Sequence, residues 1–360
     1  MQMKRTLSLA TLAILASPLL ISWERRGTEI SFAVKSGSTL TKSFEFETEM
    51  TLDNFDMTMN GQEPPMMPGM DMTVLTTINI EVEDTYSKVE DGRPTMLTRS
   101  FETLTGSSDI AMELDIMGEV QNQDMSMASS SVLEGETVEF VWSKEEEAHE
   151  PVLPDGSSLE EEDVEGLVED MDFRSLLPDD EVDEGDEWDV PLESLHLILA
   201  PGGDTKLIPE EMEEAGGLGG GGEMGSVSDY FNEDVEGEFT ATFAGMRKIE
   251  DAEYAVIKFS FELTNAVDLT DQIRESMEDS DLPEGVGEME IEHTDIEIAY
   301  EGEGELTWDL DAGHFHTFEA SGEFEFLMEQ GMIMNAMGQE MSLEQTMEFS
   351  GSLAFDVSAE

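Results

Sequence analysis

The stretch KSFEFETEMTL at residues 42–52 decides the fold. Phe44, Phe46, Thr48, Met50 and Leu52 share one parity, while Glu45, Glu47 and Glu49 take the other. Side chains of a β-strand alternate between two faces, so this segment reads as a strand with one apolar face and one acidic face. The apolar parity then moves to Phe55, Met57 and Met59, which predicts a bulge or turn at Asp53–Asn54. Val74, Thr76, Ile78, Ile80 and Val82 repeat the alternation, as do Ile110, Met112, Leu114 and Ile116. It returns in Ile257, Phe259, Phe261 and Leu263, and again in Phe318, Phe324, Phe326 and Met328. From Met341 through Leu343, Met347, Phe349, Leu353 and Phe355 it runs almost unbroken. Long strands joined by short turns such as Asp309–Gly313 predict antiparallel meanders with one wet face.

Three segments follow a helical spacing instead. Val164, Leu167, Val168 and Met171 recur at i, i+3, i+4 and i+7, with Ser158 and Glu161 placed as a capping box and Pro178 as the stop. Pro191–Leu199 opens on a proline at a helix-start position and carries Leu192, Leu195 and Leu199. Leu269, Ile273 and Met277 suggest a third short helix. The expected fold is therefore mainly β (α+β): long antiparallel meander sheets, curved or half-barrel-like, with two or three short packing helices.

Outward from these elements, breakers organise the chain. Residues 1–22 carry Lys4 and Arg5 and then the apolar run Leu7–Leu15, the pattern of a secretory signal peptide. The expected location is exported: periplasmic, outer-surface or secreted. An uncleaved segment from Leu7 to Ile21 would be an N-terminal anchor, although it is short of the ~20 residues that span a bilayer. Pro64, Pro65, Pro68 and Gly69 interrupt an early methionine-rich stretch. Residues 144–163 read as a solvated acidic loop, and residues 278–288 as a shorter one. Residues 201–228 contain GGLGGGGEMGS and read as a Gly-rich linker or loop, because such a run has much backbone entropy to lose and few side chains to offset it. This separates an N-terminal β-rich half, 28–200, with helices near 159–177 and 191–199, from a C-terminal antiparallel β half, 229–358. Whether the halves share one sheet stays open at this point.

Charge excludes whole classes of partner. The chain of 360 residues holds 86 Asp+Glu against 16 Lys+Arg, a formal net charge of −70. That field repels phosphate backbones and anionic lipid, so nucleic acid and an anionic membrane surface are excluded as partners. Weak, nonspecific cation association is expected. Apolar residues make up 39% of the chain, which sets it apart from a wholly disordered acidic sequence. With no cysteine, disulfides, thiolate chemistry and cysteine-based metal sites are excluded.

Few residues group into a chemical motif. The 26 methionines cluster at Met57–Met72, at Met125 and Met127, and at Met328–Met341. Thioethers are soft ligands suited to Cu(I), but alternating methionines also serve as adaptable filler on an apolar strand face. His314 and His316 are the only close histidine pair and lack an evident third ligand; His149, His196 and His293 stand alone. PDDEVDEGDEWD at 178–189 misses calcium-loop spacing, since Gly185 falls one place late and no Glu closes the loop. Nucleophile-elbow, P-loop and dinucleotide fingerprints are absent. No residue is assigned a catalytic, cofactor-binding or metal role, and no cofactor is expected.

Three segments carry a resemblance: LLPDDEVDEGDEWDVP at 176–191, VEGEFTATFAGMRKIEDAEYAVIKFSFEL at 235–263 and ELTWDLDAGHFHTFEASGEFEF at 305–326. Together they are similar to a group of uncharacterised exported bacterial β-rich proteins with Met-Asp-Met strands, a GD-W-VP segment and a W-D-x-x-x-G hairpin. The resemblance covers most of residues 28–357 and implies an exported β-rich fold, with no activity or functional residues to carry over. The hairpin also resembles those of lipoprotein-carrier half-barrels. The function expected is a non-catalytic exported protein that binds an apolar ligand or a partner in a Met/Phe-lined concavity. The alternatives are copper handling through Met332–Met341 and, third, hydrolysis by paired carboxylates.

Overall fold

The structure is a computed structural model that describes residues 27–62, 69–90, 92–116, 119–209, 235–249, 252–279, 289–336 and 339–360. Alternating sequence becomes long strand: β1 (Ser38–Met59), β2 (Gly69–Glu90), β3 (Arg93–Ile116), β4 (Glu119–Ser130), β5 (Thr137–Ser143) and β6 (Ala148–Val152) build the N-terminal half. Then come the short strands β7 (Glu187–Asp189) and β8 (Ile208–Pro209), followed by β9 (Glu236–Ile249), β10 (Ala252–Asp268), β11 (Met289–Asp309), β12 (His314–Ala336) and β13 (Gln339–Ala359).

All of them belong to one antiparallel sheet, in the order β6-β5-β3-β2-β1-β13-β12-β11-β10-β9-β7, with β4 on β3 and β8 on β4. Pairing of β1 with β13 joins the two halves, so the sheet is single and it is not closed into a barrel. The parity change in β1 is a bulge: register slips between Leu52 and Asn54, which keeps Phe55, Met57 and Met59 on the apolar face. At the 309–313 hairpin Asp309 Oδ1 accepts the amides of Asp311 and Ala312, at 2.9 and 2.8 Å. Gly313 turns the chain at φ +75°, and a Cβ there would lie 2.6 Å from that of Ala33.

The two faces have different fates. Phe44, Val82, Phe101, Ile257, Leu306 and Phe318 are buried on the apolar face beneath residues 28–34 and the connecting segment 153–209. Phe173 of that segment stacks on Phe318 at 4.3 Å, and its ring also meets Phe44 and Phe315. The phenylalanine-lined part of the face is therefore filled by the chain itself. On the acidic face, one hollow of about 590 Å³ is lined by residues of five adjacent strands, from Glu45 of β1 to Lys258 of β10. Another of about 730 Å³ lies farther along the same face, between Asp53 and Glu236.

The helical expectations divide. α1 (Leu195–Leu199) follows a 3-10 turn at Leu192–Ser194, and α2 (Thr270–Asp279) packs Ile273 on a small cluster of Val267, Leu269, Ile296 and Ile298. The helix expected over 159–177 does not form. Only 3-10 turns occur, at Glu161–Val164 and Arg174–Leu176, and the capping box is Glu160 with Asp163 rather than Ser158 with Glu161. Val164, Leu167 and Met171 are buried as that spacing demands, but Gly166 at φ +82° and Phe173 at φ +55° break any helix between them.

The acidic loop drawn at 144–163 is in part strand, since β6 pairs with β5 and carries the alternation of His149 and Pro151. Of the stretch drawn as linker, 201–209 is ordered on the fold: Leu167 bridges to Gly203, and β8 pairs with β4. The Gly-rich run at 216–226, the segment 1–22 and Pro64–Pro68 lie outside the described residues. No helix of the described residues is long and apolar enough to cross a membrane.

Candidate binding site

Charged residues stand where the strand parity calls for apolar ones. Lys42 lies between Leu40 and Phe44 on the apolar face of β1, Asp84 between Val82 and Tyr86 of β2, and Arg99 between Leu97 and Phe101 of β3. All three are fully buried. Lys42 Nζ donates to Asp84 Oδ2 at 2.7 Å and also lies 2.7 Å from Asp172 Oδ1. Arg99 grips Asp84 with both Nε and Nη2, at 2.8 and 2.9 Å, and Tyr86 donates its hydroxyl to Asp172 at 2.7 Å. The same guanidinium donates to the carbonyls of Val168 and Glu169, fastening the connecting segment to the sheet.

Burial drives the Asp84 carboxyl upward, but Arg99 and Lys42 outweigh it and hold its pKa at about 2. Burial, with Asp172 and Asp84 beside it, raises the Tyr86 phenol well above its ordinary range.

At one side of this network lies a cavity of about 830 Å³, lined among others by Phe32, Arg93, Trp142, His149, Glu169 and Arg174. Glu169 is 3% exposed. Its Oε2 accepts a hydrogen bond from Arg174 and lies 3.3 Å from His149 Nδ1, whereas Oε1 has no hydrogen-bond partner. Burial raises its pKa, and the Arg174 charge offsets only part of that rise. The imidazole is oriented by a 2.7 Å contact from Nε2 to the Pro94 carbonyl and sits edge-on to Trp142 at 5.0 Å. On that indole lies the Arg93 guanidinium, 3.9 Å from the ring centroid, and among the described residues Arg93 forms no ion pair.

Such a site can hold a polar ligand between groups of opposite sign, against an apolar wall. None of it was assigned from sequence. His149, expected to stand alone, is its hinge, because His149, Glu169 and Arg93 come together only through β5–β6 pairing and the fold of 164–177. The legible signal was subtler: scarce cations at apolar parity.

The expected candidates fall elsewhere. His316 stacks on Tyr254 at 4.7 Å, while His314 Nδ1 lies 2.6 Å from the Phe315 carbonyl. A bulge at Thr307/Trp308 reverses the parity here, burying Phe315 rather than the histidines. Residues 178–189 build a turn in which Asp186 accepts the amide of Asp183, and then β7. No cluster of three or more acidic or histidine side chains able to hold a metal occurs among the described residues. Met334 faces Met341 across β12 and β13, and Met337 lies outside the described residues.

No protein-family model matches the chain, and no curated protein sequence is similar to it.

Proposed function

We propose that the protein is a non-catalytic binding protein that takes an apolar ligand on the methionine-rich end of its apolar face. One observation carries this reading. Register places Met72 opposite Met112, Met328 opposite Met347 and Met334 opposite Met341 on the face that elsewhere forms the core. Here the connecting segment does not bury them: Met72, Met112, Met328, Met334, Met341 and Met347 are all only half-buried, while Met59 and Met125 are 37% and 40% exposed. A field of half-covered, unbranched thioethers can repack around ligands of varied shape. The acidic rows of the opposite face disfavour an anionic surface as the source, which favours a single captured apolar molecule over membrane docking.

Titration with an uncharged apolar fluorophore, N-phenyl-1-naphthylamine, tests this. Saturable binding is expected, and it should fall at least about tenfold when Met328, Met334, Met341 and Met347 are all changed to Gln. Signal that does not saturate, or is unaltered in that variant, overturns the proposal. The facing pair Met334 and Met341 also supports a second reading, Cu(I) capture. That reading requires stoichiometric uptake under reducing conditions that is lost on Met→Leu at the same two positions.

A further inference from the structure

The cavity beside the buried charge network is lined by a cation without an ion pair among the described residues, Arg93, and by a carboxylate with one oxygen left unpaired, Glu169. The Arg93 guanidinium lies over the Trp142 ring, 3.9 Å from the centroid, and a guanidinium suits a planar, two-oxygen acceptor. Glu169 supplies the other sign. Its Oε1 is a buried acceptor without a partner, and an atom so placed is destabilising until something donates to it.

One imidazole connects the two: His149 contacts the carbonyl of Pro94, next to Arg93, and lies against both Trp142 and Glu169. Ile30, Phe32 and Leu177 give the same cavity an apolar wall.

We propose that this cavity binds a small zwitterion of the α-amino-acid type, with its carboxylate on Arg93, its ammonium on Glu169 Oε1 and an apolar side chain on the wall of Ile30, Phe32 and Leu177. Charge argues for the zwitterion over either ion alone. A free anion approaches a molecule of net charge −70 and a cavity that also holds Glu147, Asp170 and Asp179. A free cation satisfies Glu169 but meets Arg93 and Arg174. A neutral molecule with both charges is not repelled at long range and pairs both groups at short range. This site lies apart from the methionine field and stands or falls independently of it.

The test is calorimetric titration of the full chain with L-leucine, beside L-leucinamide, which lacks the carboxylate, and N-acetyl-L-leucine, which lacks the ammonium. Saturable binding of leucine is expected, with each derivative weaker by about tenfold or more. Arg93→Gln, at an exposed position, should weaken leucine by a similar factor and leave thermal unfolding nearly unchanged. Arg247→Gln, which removes an ion pair to Glu305 on the acidic face, should bind as the parent does. Absence of saturable binding at millimolar leucine overturns the proposal. Equal affinity for either derivative, or an unaltered Arg93→Gln, overturns it as well.

Discussion

At the residue scale the most consequential side chain is Asp84, because two buried cations depend on it. Lys42 and Arg99 both bond its carboxylate and both are fully buried, so Asp84→Asn leaves two charges in the interior with one counter-ion, Asp172, between them. Removing one partner of a buried ion pair costs ~3–5 kcal/mol, far more than the pair contributes over an apolar substitute. We expect a loss of that size in urea unfolding at pH 7. The pH dependence follows from the direction of the shift. Asp84 titrates at about 2 in the fold against an ordinary 3.8, so its charged form stabilises fully above the ordinary value and that contribution fades as pH falls through about 2. The gap between parent and Asp84→Asn should be constant from pH 5 to 7 and narrow from about pH 4 downward. A gap that is flat into acid would show that the carboxylate is not what the two cations require.

At the element scale the connecting segment 164–177 is held by a side chain rather than by its own periodicity. Gly166 and Phe173 take left-handed backbone conformations, and Arg99 donates to the carbonyls of Val168 and Glu169 in place of helical partners. Replacing Arg99 with Met, of similar length, should therefore raise amide hydrogen exchange in 164–177 by about tenfold or more while β10–β13 stay protected. Unchanged exchange would mean that Val164, Leu167 and Met171 anchor the segment alone.

These elements also show what can be read from sequence. Alternation of Phe44 and Phe46 with Glu45 and Glu47 marks the strands because each face meets a different solvent, and the bulge at Leu52/Asn54 is visible as a parity change for the same reason. The i, i+3, i+4 spacing of Val164, Leu167 and Val168 misleads, because a looped segment pressed on a sheet can bury residues at that spacing too. The cavity was hidden because Arg93, His149 and Glu169 are brought together by long-range pairing. Lys42, Asp84 and Arg99 did leave a trace: a charge among apolar neighbours of its own parity is a residue whose partner lies elsewhere in the fold.

At the scale of the whole molecule the sheet is a device for keeping like charges close. Glu238, Glu262, Glu301 and Glu323 stand directly opposite one another across β9, β10, β11 and β12. Glu45, Asp356, Glu319 and Glu305 form a second row, relieved at its end by Lys258 and by Arg247. Directly opposed like charges destabilise a strand pair, and each row lines a hollow of the acidic face in which its fields add. The apolar core beneath the connecting segment outweighs this repulsion, and at neutral pH salt lessens it. The groups are solvent-facing, so the screening length decides: ~10 Å at 0.1 M ionic strength, longer than the spacing of neighbouring strands, and ~3 Å at 1 M, shorter than that spacing. The midpoint of thermal unfolding at pH 7 should therefore rise steadily from low salt to 1 M NaCl. It should rise at millimolar MgCl₂ as well, more than chloride-matched NaCl allows, since one divalent ion can sit between two opposed carboxylates. A midpoint that is flat or falls across the NaCl series would show that the acidic rows cost the fold nothing, and that the hollow face is already relaxed by the outward reach of its glutamate side chains.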